Sequence, residues 1–239
     1  MLIASMTRMD ARTCSARGRR RHNADAATTH HDAMTDRYAF AVADGIGDTE
    51  AAAHAARLAA ITAVRSAARS SRAGPHGVIN AVLAAQEAVL DGDAVLVVAT
   101  PLPPHVGGYA VAWAGDCRAY HWDGTSLTQL TADQTVAEYL RARGESVAPR
   151  LEHVVTNSVR LARPHNLGLA ITGGAPGRLA LTTDGVHRNL DDSQLANIIG
   201  GTGDSRATAT ALVLAALHHG GADNATALVV TGKQSPGEG

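Results

Sequence analysis

The chain is 239 residues long, 45% hydrophobic yet only 3% aromatic, and carries a formal net charge of -1. That length fits one large domain or two small ones with a core of Ala, Val, Leu and Ile, and the near-neutral balance gives no general attraction to nucleic acid or membrane. Cys14 and Cys117 make neither a disulfide framework nor a metal-binding pair, no apolar run approaches the roughly 20 residues of a membrane span, and the opening MLIASMTRMDARTC has too short an apolar stretch for a signal peptide.

The basic residues are nearly all Arg, with Lys233 the only lysine. An Arg- and Ala-rich bias of this kind suggests a GC-rich bacterial genome, and with neither a membrane span nor a signal-peptide pattern the expectation is a soluble cytoplasmic protein. Residues 1–17 read as an N-terminal lead with an edge strand around Thr13. Arg19, Arg20 and Arg21 follow, as either a solvated basic turn or a phosphate clamp, since a guanidinium fork matches phosphate oxygens. Asn23-Ala24-Asp25 then enters a strand. His22, His30 and His31 have no partners at a zinc-like spacing and read as surface loop.

Tyr38 to Gly47, YAFAVADGIG, is the stretch around which the chain is organised. Tyr38, Phe40 and Val42 alternate with alanines, the period-two pattern of a buried strand. Thr49 to Ser71 predicts a long helix, capped by Asp48 or Thr49, with Leu58, Ile61, Arg65 and Ala68 along one stripe. Gly74 breaks the chain and Pro75 opens a second helix, with Ile79, Val82, Leu83, Gln86 and Val89 as its stripe and Asp91-Gly92 at its close. Strands are expected at 94–100, 108–115, 118–122 and 126–130, an antiparallel meander with a hairpin turn at Asp123-Gly124.

Asp133 to Arg143 predicts a helix ended by Gly144. Residues 145–168 are irregular, as functional or mobile segments often are. Strands at 169–172 and 179–183 flank a turn at Ala175-Pro176-Gly177. Asp191 or Asp192 caps a short helix to Ile199. Asp204 or Ser205 caps another, with Ala209, Leu212, Val213 and Ala216 inward and Gly220-Gly221 at its end. A last strand spans 225–231.

The chemistry lies where these strands end. Asp44-Gly45 closes the central strand, and an aspartate beside a glycine can hold a hard cation at close backbone approach. Asp-Gly is also the commonest turn pair. The pattern recurs, however, at Gly115-Asp116, at Asp184-Gly185 and at Asp223-Asn224. All these donors are oxygens, which favours Mg²⁺ or Mn²⁺ over zinc.

The segments FAVADGIGD, AWAGDCRAYHWDG, QLTADQT, RLALTTDGV and GADNAT, in this order, resemble the metal-dependent serine/threonine phosphatases of the protein phosphatase 2C type (PPM), in a bacterial single-domain form. The match runs from about Arg20 to Val230. It implies an α+β fold, a four-layer α-β-β-α sandwich of two antiparallel sheets flanked by helix pairs. The domain division is then a lead at 1–11, one catalytic domain at 12–231 and a disordered tail at 232–239. By the same resemblance Asp44 bridges two tightly held Mn²⁺ or Mg²⁺ ions, Gly45 lends its carbonyl, and Asp184 and Asp223 complete one of the two sites. Asp25 touches a metal through water, and Asp116 belongs to a third, weaker ion. Arg20, or Arg19 or Arg21 if the register slips, holds the phosphate; Asn224 orients the loop of Asp223; and residues 145–168 correspond to the flap beside the site.

The reaction implied is attack on phosphorus by a metal-activated water, with no covalent enzyme intermediate. The partners implied are phosphorylated proteins, substrates of a serine/threonine kinase, met by a monomeric enzyme that binds neither nucleic acid nor membrane. The sequence departs from the family at Ala24, at Gly92-Asp93-Ala94, at Gln134-Thr135 and at Ile46, where animal members carry a His. Those departures keep two alternatives in view: a degenerate domain that binds a phosphoprotein without turnover, and a hydrolase of another phosphate ester.

Overall fold

The computed structural model describes residues 8–70, 74–174 and 177–233. Arg37–Gly45 (β3) is buried on both faces because its alternation serves two cores. Phe40 and Val42 point between two sheets, while Ala39, Ala41 and Ala43 face helices. It lies between Asp25–Asp32 (β2) and Ala94–Pro101 (β4), and the sheet continues through Tyr109–Ala114 (β5) to Gly168–Ile171 (β8). The second sheet runs from Arg8–Ala16 (β1) through Ala225–Lys233 (β10), Arg178–Thr182 (β9) and Arg118–Trp122 (β6) to Leu127–Gln129 (β7). Every pairing in both sheets is antiparallel.

Helices cover both outer faces, giving the four layers expected. Glu50–Arg69 (α1) and Pro75–Ala88 (α2) lie on the first sheet. Asp192–Ile199 (α5) and Ser205–His218 (α6) lie on the second, with a four-residue turn of helix at Asp184–His187 (α4) that the sequence pattern does not suggest. Thr49 caps α1, Asp191 closes a capping box on α5, and Asp204 caps α6. Val136–Ala142 (α3) is shorter than expected, because Thr135 takes the cap and Asp133 instead pairs with Arg118 at 2.7 Å.

Several expectations need correction. The buried face of α1 is almost all alanine, and Ile61 and Arg65 are exposed, so its apolar stripe is rotated from the one the larger residues suggest. Small side chains here outrank large ones because they allow helix and sheet to approach closely. On α2 Val82 and Val89 are buried as expected, but Val78, Ala81 and Ala85 join them in place of Ile79, Leu83 and Gln86, which are half-buried. β1 starts at Arg8, within the stretch expected as lead, and β10 runs on to Lys233. The remainder of the expected tail, 234–239, and Ala175-Pro176 of the expected turn lie outside the described residues.

The largest correction concerns the meander. β5 and β6 are consecutive in sequence but belong to different sheets, so the chain crosses the sandwich at Gly115–Cys117. Gly115 adopts φ +102°, and a Cβ there would run into the side chain of Val95. Only glycine permits both the conformation and the approach. This crossing carries Asp116 to one end of the sandwich, the end where β3 and β9 also finish.

Candidate active site

Antiparallel pairing sets the centre of this end. Asp25, the first residue of β2, stands directly opposite Asp44 near the end of β3. Like charges opposite one another on a ladder are destabilising, so the arrangement needs a compensating partner. Asp184 follows β9 and Asp223 precedes β10, and the antiparallel pairing of those strands puts both at the same end. Thr183 joins the two sheets: its hydroxyl accepts from the Thr226 N–H at 3.0 Å and donates to Asp25 Oδ2 at 2.9 Å.

A cleft of about 560 Å³ opens here. Arg20, Asp44, Gly45, Asp116, Asp184 and Asp223 line it. Asp25 lies beneath, buried, with Oδ1 unpartnered. Loss of solvent, with Asp25, Asp184, Asp116 and Asp223 facing it, pushes the Asp44 carboxyl well above the usual carboxylate range. Burial lifts Asp25 to about 7, although the Thr226 and Thr183 hydroxyls work in the other direction. Burial and the Asp184 charge raise Asp116 to about 6, although Arg188 opposes the rise.

No arginine pairs with Asp44 among the described residues; the other carboxylates are engaged. Arg20 donates from Nη2 to Asp223 Oδ2. Arg188 donates from Nη2 to Asp116 Oδ2 at 2.9 Å and places Nε 3.4 Å from Asp184 Oδ2. Placed this way, no three His, Cys, Asp or Glu side chains among the described residues form a ready metal cage. The donor set nevertheless suits a hard cation: Asp44, the Gly45 backbone, Asp184 and Asp223 offer oxygens alone, and the orphaned Oδ1 of Asp25 adds another beneath them. Gly45 admits no side chain, since a Cβ there would strike the Ala52 carbonyl of α1.

The N-terminal loop is fastened where Arg20 needs it. Asp48 accepts from the N–H groups of Arg21 (2.9 Å) and His22 (2.8 Å), which hold its carboxyl below the usual range. Asn224 does more than orient its own loop. Its Nδ2 donates to the carbonyls of Arg17 (2.7 Å) and His22 (2.9 Å), and its Oδ1 accepts from Ala24 N–H (2.7 Å). The segment bearing Arg20 is thus tied at both ends to the loop bearing Asp223. Arg19 and Arg21 do not line the cleft, whereas Arg20 does. His30 and His31 lie in β2 rather than in the loop expected, and the exposed His31 stacks on Tyr38 and pairs with Asp36.

Two of the departures from the resembled pattern, Asp93 and Gln134, make structural contacts. Asp93 accepts from Ser158 Oγ (2.7 Å) and from the Arg160 N–H (3.1 Å), and its carbonyl accepts from Ile46 N–H (2.9 Å), so it ties the flap to the turn after Asp44. Gln134 accepts from the Gly115 N–H and from Asn157 Nδ2, each at 2.9 Å, fixing the crossing to the base of the flap. Ile46 lines the cleft.

Sequence reading missed Arg188, His153 and Asp48. Arg188 is invisible as a site residue because its partners are remote in sequence. His153 comes from the irregular segment 145–168, lines the cleft, and its Nδ1 is the partner of Arg188 Nη1. A capping-type aspartate such as Asp48 carries no signal that it serves a second loop.

No family model matches the sequence, and no curated protein matches it. Solved structures do. A Streptococcus agalactiae structure (S. agalactiae serine/threonine phosphatase) is 18% identical with TM-score 0.81, covering 95% of this chain and 100% of its own. The PPM Ser-Thr phosphatase MsPP from Mycobacterium smegmatis, solved with cacodylate, is 27% identical with TM-score 0.74, covering 93% of this chain and 97% of its own. The catalytic domain of the serine threonine protein phosphatase PstP, in complex with 2 manganese ions, is 23% identical with TM-score 0.74, covering 94% of this chain and 98% of its own.

Proposed function

We propose that this chain, which has the fold of the bacterial PPM-type serine/threonine phosphatases, is a metal-dependent phosphoprotein phosphatase acting on phosphoserine and phosphothreonine. The observation that carries the reading is the carboxylate centre itself. Asp25 and Asp44 oppose each other in register, Asp184 and Asp223 join them, and the Asp44 carboxylate has no arginine partner among the described residues. Such a cluster is stable only with cations present or protons bound. The manganese complex of PstP, a protein of the same fold, supports Mn²⁺ or Mg²⁺ as the ions.

Asp44, the Gly45 carbonyl, Asp184 and Asp223 would hold the metals, with Asp25 behind them. Bound there, divalent ions supply water activation and neutralisation of phosphoryl charge. The rest falls to the chain. Arg20 sits at the rim with one nitrogen on Asp223, and its guanidinium has further N–H donors for phosphoryl oxygens. Asn224 and Asp48 hold its loop so that this contact is made without ordering a mobile segment. The flap, fixed at its base by Gln134, Asn157 and Asp93, forms one wall of the cleft through His153 and Val155. Substrate selection is assigned to that wall.

Binding without turnover draws its motive from Ala24 and from Gly92 to Ala94. Ala24 is clamped through its N–H, and Asp93 anchors the flap, so these positions have structural work that takes no carboxylate from the centre. The test is phosphate release from a phosphothreonine peptide with Mn²⁺, repeated with EDTA and beside a panel of small phosphomonoesters. Release that needs Mn²⁺ and favours the peptide is the expected result. No release from any phosphopeptide, with Mn²⁺ shown to bind, would instead support the binding-only domain.

A further inference from the structure

We infer that the cation shared by Asp116 and Asp184 is the guanidinium of Arg188, built into the chain, and that no third divalent ion binds on this edge of the cleft. The inference rests on the phosphatase reading above, and it departs from the role the family resemblance implies for Asp116.

Three features of the chain produce the arrangement. Asp184 opens α4 and Arg188 follows four residues later with its backbone still helical (φ -81°, ψ -15°), so the two side chains share a face. The sheet-to-sheet crossing at Gly115 delivers Asp116 beside them from a different part of the chain. The flap supplies His153, whose Nδ1 receives Nη1 of the same guanidinium. Arg188 therefore touches three separate segments, through Nη2 to Asp116 (2.9 Å), through Nε toward Asp184 (3.4 Å) and through Nη1 to His153.

Charge and chemistry decide between an arginine and an ion. The Asp116 carboxylate is only 7% exposed and the Arg188 side chain 21%. A guanidinium stays protonated in proteins and presents donors in a planar fork, so one group can serve two carboxylates from different elements. A divalent cation between the same oxygens would stand next to that fixed positive charge, beside a carboxylate largely removed from solvent. Ion and guanidinium thus exclude each other at Asp116 Oδ2 and Asp184 Oδ2, the two oxygens that Arg188 faces, and the proposed metal centre takes Asp184 through its other oxygen. The arginine has the advantage, since it is always present and already hydrogen-bonded to Asp116 and to His153 of the flap. Arg188 also joins the flap to the carboxylate centre, which a metal held by Asp116 would not do.

The experiment counts bound Mn²⁺ per chain by equilibrium dialysis with metal analysis, from micromolar to millimolar Mn²⁺, on the full chain. Free-ion electron paramagnetic resonance gives an independent count. Wild type and Asp116→Ala should bind the same number of ions. Arg188→Ala should bind one more, and that extra ion should vanish in the double variant Asp116→Ala/Arg188→Ala. Arg188→Lys, which keeps the charge, should not gain it. Arg188→Gln serves as a second neutral variant should the alanine chain fail to fold, judged by circular dichroism. Loss of an ion in Asp116→Ala alone would overturn the inference. So would a neutral Arg188 variant that is folded yet binds no more than wild type. Failure of the phosphatase reading looks different: wild type would release no phosphate whatever the ion counts.

Discussion

Removing one carboxylate from the centre should stabilise the metal-free protein, by an amount that grows with pH. Asp25 faces Asp44 across the ladder, and burial, with the Asp184 and Asp223 charges, raises its carboxyl from 3.8 to about 7. A carboxyl whose pKa is raised by folding binds more protons in the folded than in the unfolded state between those two values. Stability is therefore lost as pH rises from about 4 to about 7. A shift of about three units corresponds to ~4 kcal/mol at 1.36 kcal/mol per unit. His187 opposes this trend. It is buried, its pKa is lowered, and its stabilising contribution is lost as pH falls below about 6.5.

Comparison of wild type with Asp44→Asn cancels the His187 term, because both chains carry it. In chelator near pH 4 the two proteins should melt at similar temperatures. At pH 8 the variant should melt higher, because the Asp44 carboxyl raised by burial and by the facing aspartates is gone; the scale for one carboxyl shifted as Asp25 is comes to roughly 10 °C, at 2–4 °C per kcal/mol for a chain of this size. Saturating Mn²⁺ should reverse the order, since two ions, each at about 100 times Kd, together stabilise the native wild type by ~5 kcal/mol. The assay is differential scanning calorimetry across pH with EDTA and then with Mn²⁺. An Asp44→Asn protein no more stable than wild type at pH 8 in EDTA, or a gap that does not change with pH, would refute the electrostatic account of the centre.

Turnover should vanish on exhaustive chelation and return with Mn²⁺ or Mg²⁺; activity that survives chelation, or recovery with Zn²⁺ alone, would rule out the oxygen-donor centre. Asp184→Asn should lower kcat by several orders of magnitude with the far-ultraviolet circular dichroism unchanged, because a neutral amide cannot offset ionic charge; near-normal kcat would remove it from the centre. Arg20→Ala should raise KM more than it lowers kcat, since phosphate oxygens are charged before the reaction as well as during it. The reverse pattern would place Arg20 on the transition state alone. Asn224→Ala should cost ~2–4 kcal/mol in urea denaturation, because it strands the carbonyls of Arg17 and His22 and the N–H of Ala24, and a midpoint unchanged from wild type would show the loop to be held by other contacts.

Local order in this chain is written in its residues, and so are four of the five aspartates at issue. Apolar runs that end in Asp-Gly or begin after Asp-Asn mark Asp44, Asp184 and Asp223, and the glycine beside Asp116 marks the fourth. Each signal depends on a strand and its terminus, which period-two alternation and a turn residue specify within ten residues. Which face of a helix is inward proved less legible in α1 and α2, because alanine carries little hydropathic signal and the buried stripe is set by how closely helix and sheet can approach. The assignment of β5 and β6 to different sheets, the facing of Asp25 and Asp44, and the capture of Asp116 and Asp184 by Arg188 belong to the tertiary structure alone. Each joins residues far apart in the chain, or in Arg188's case a side chain with no pattern of its own. Their electrostatics arise only when burial removes the water that would screen those charges in the unfolded chain.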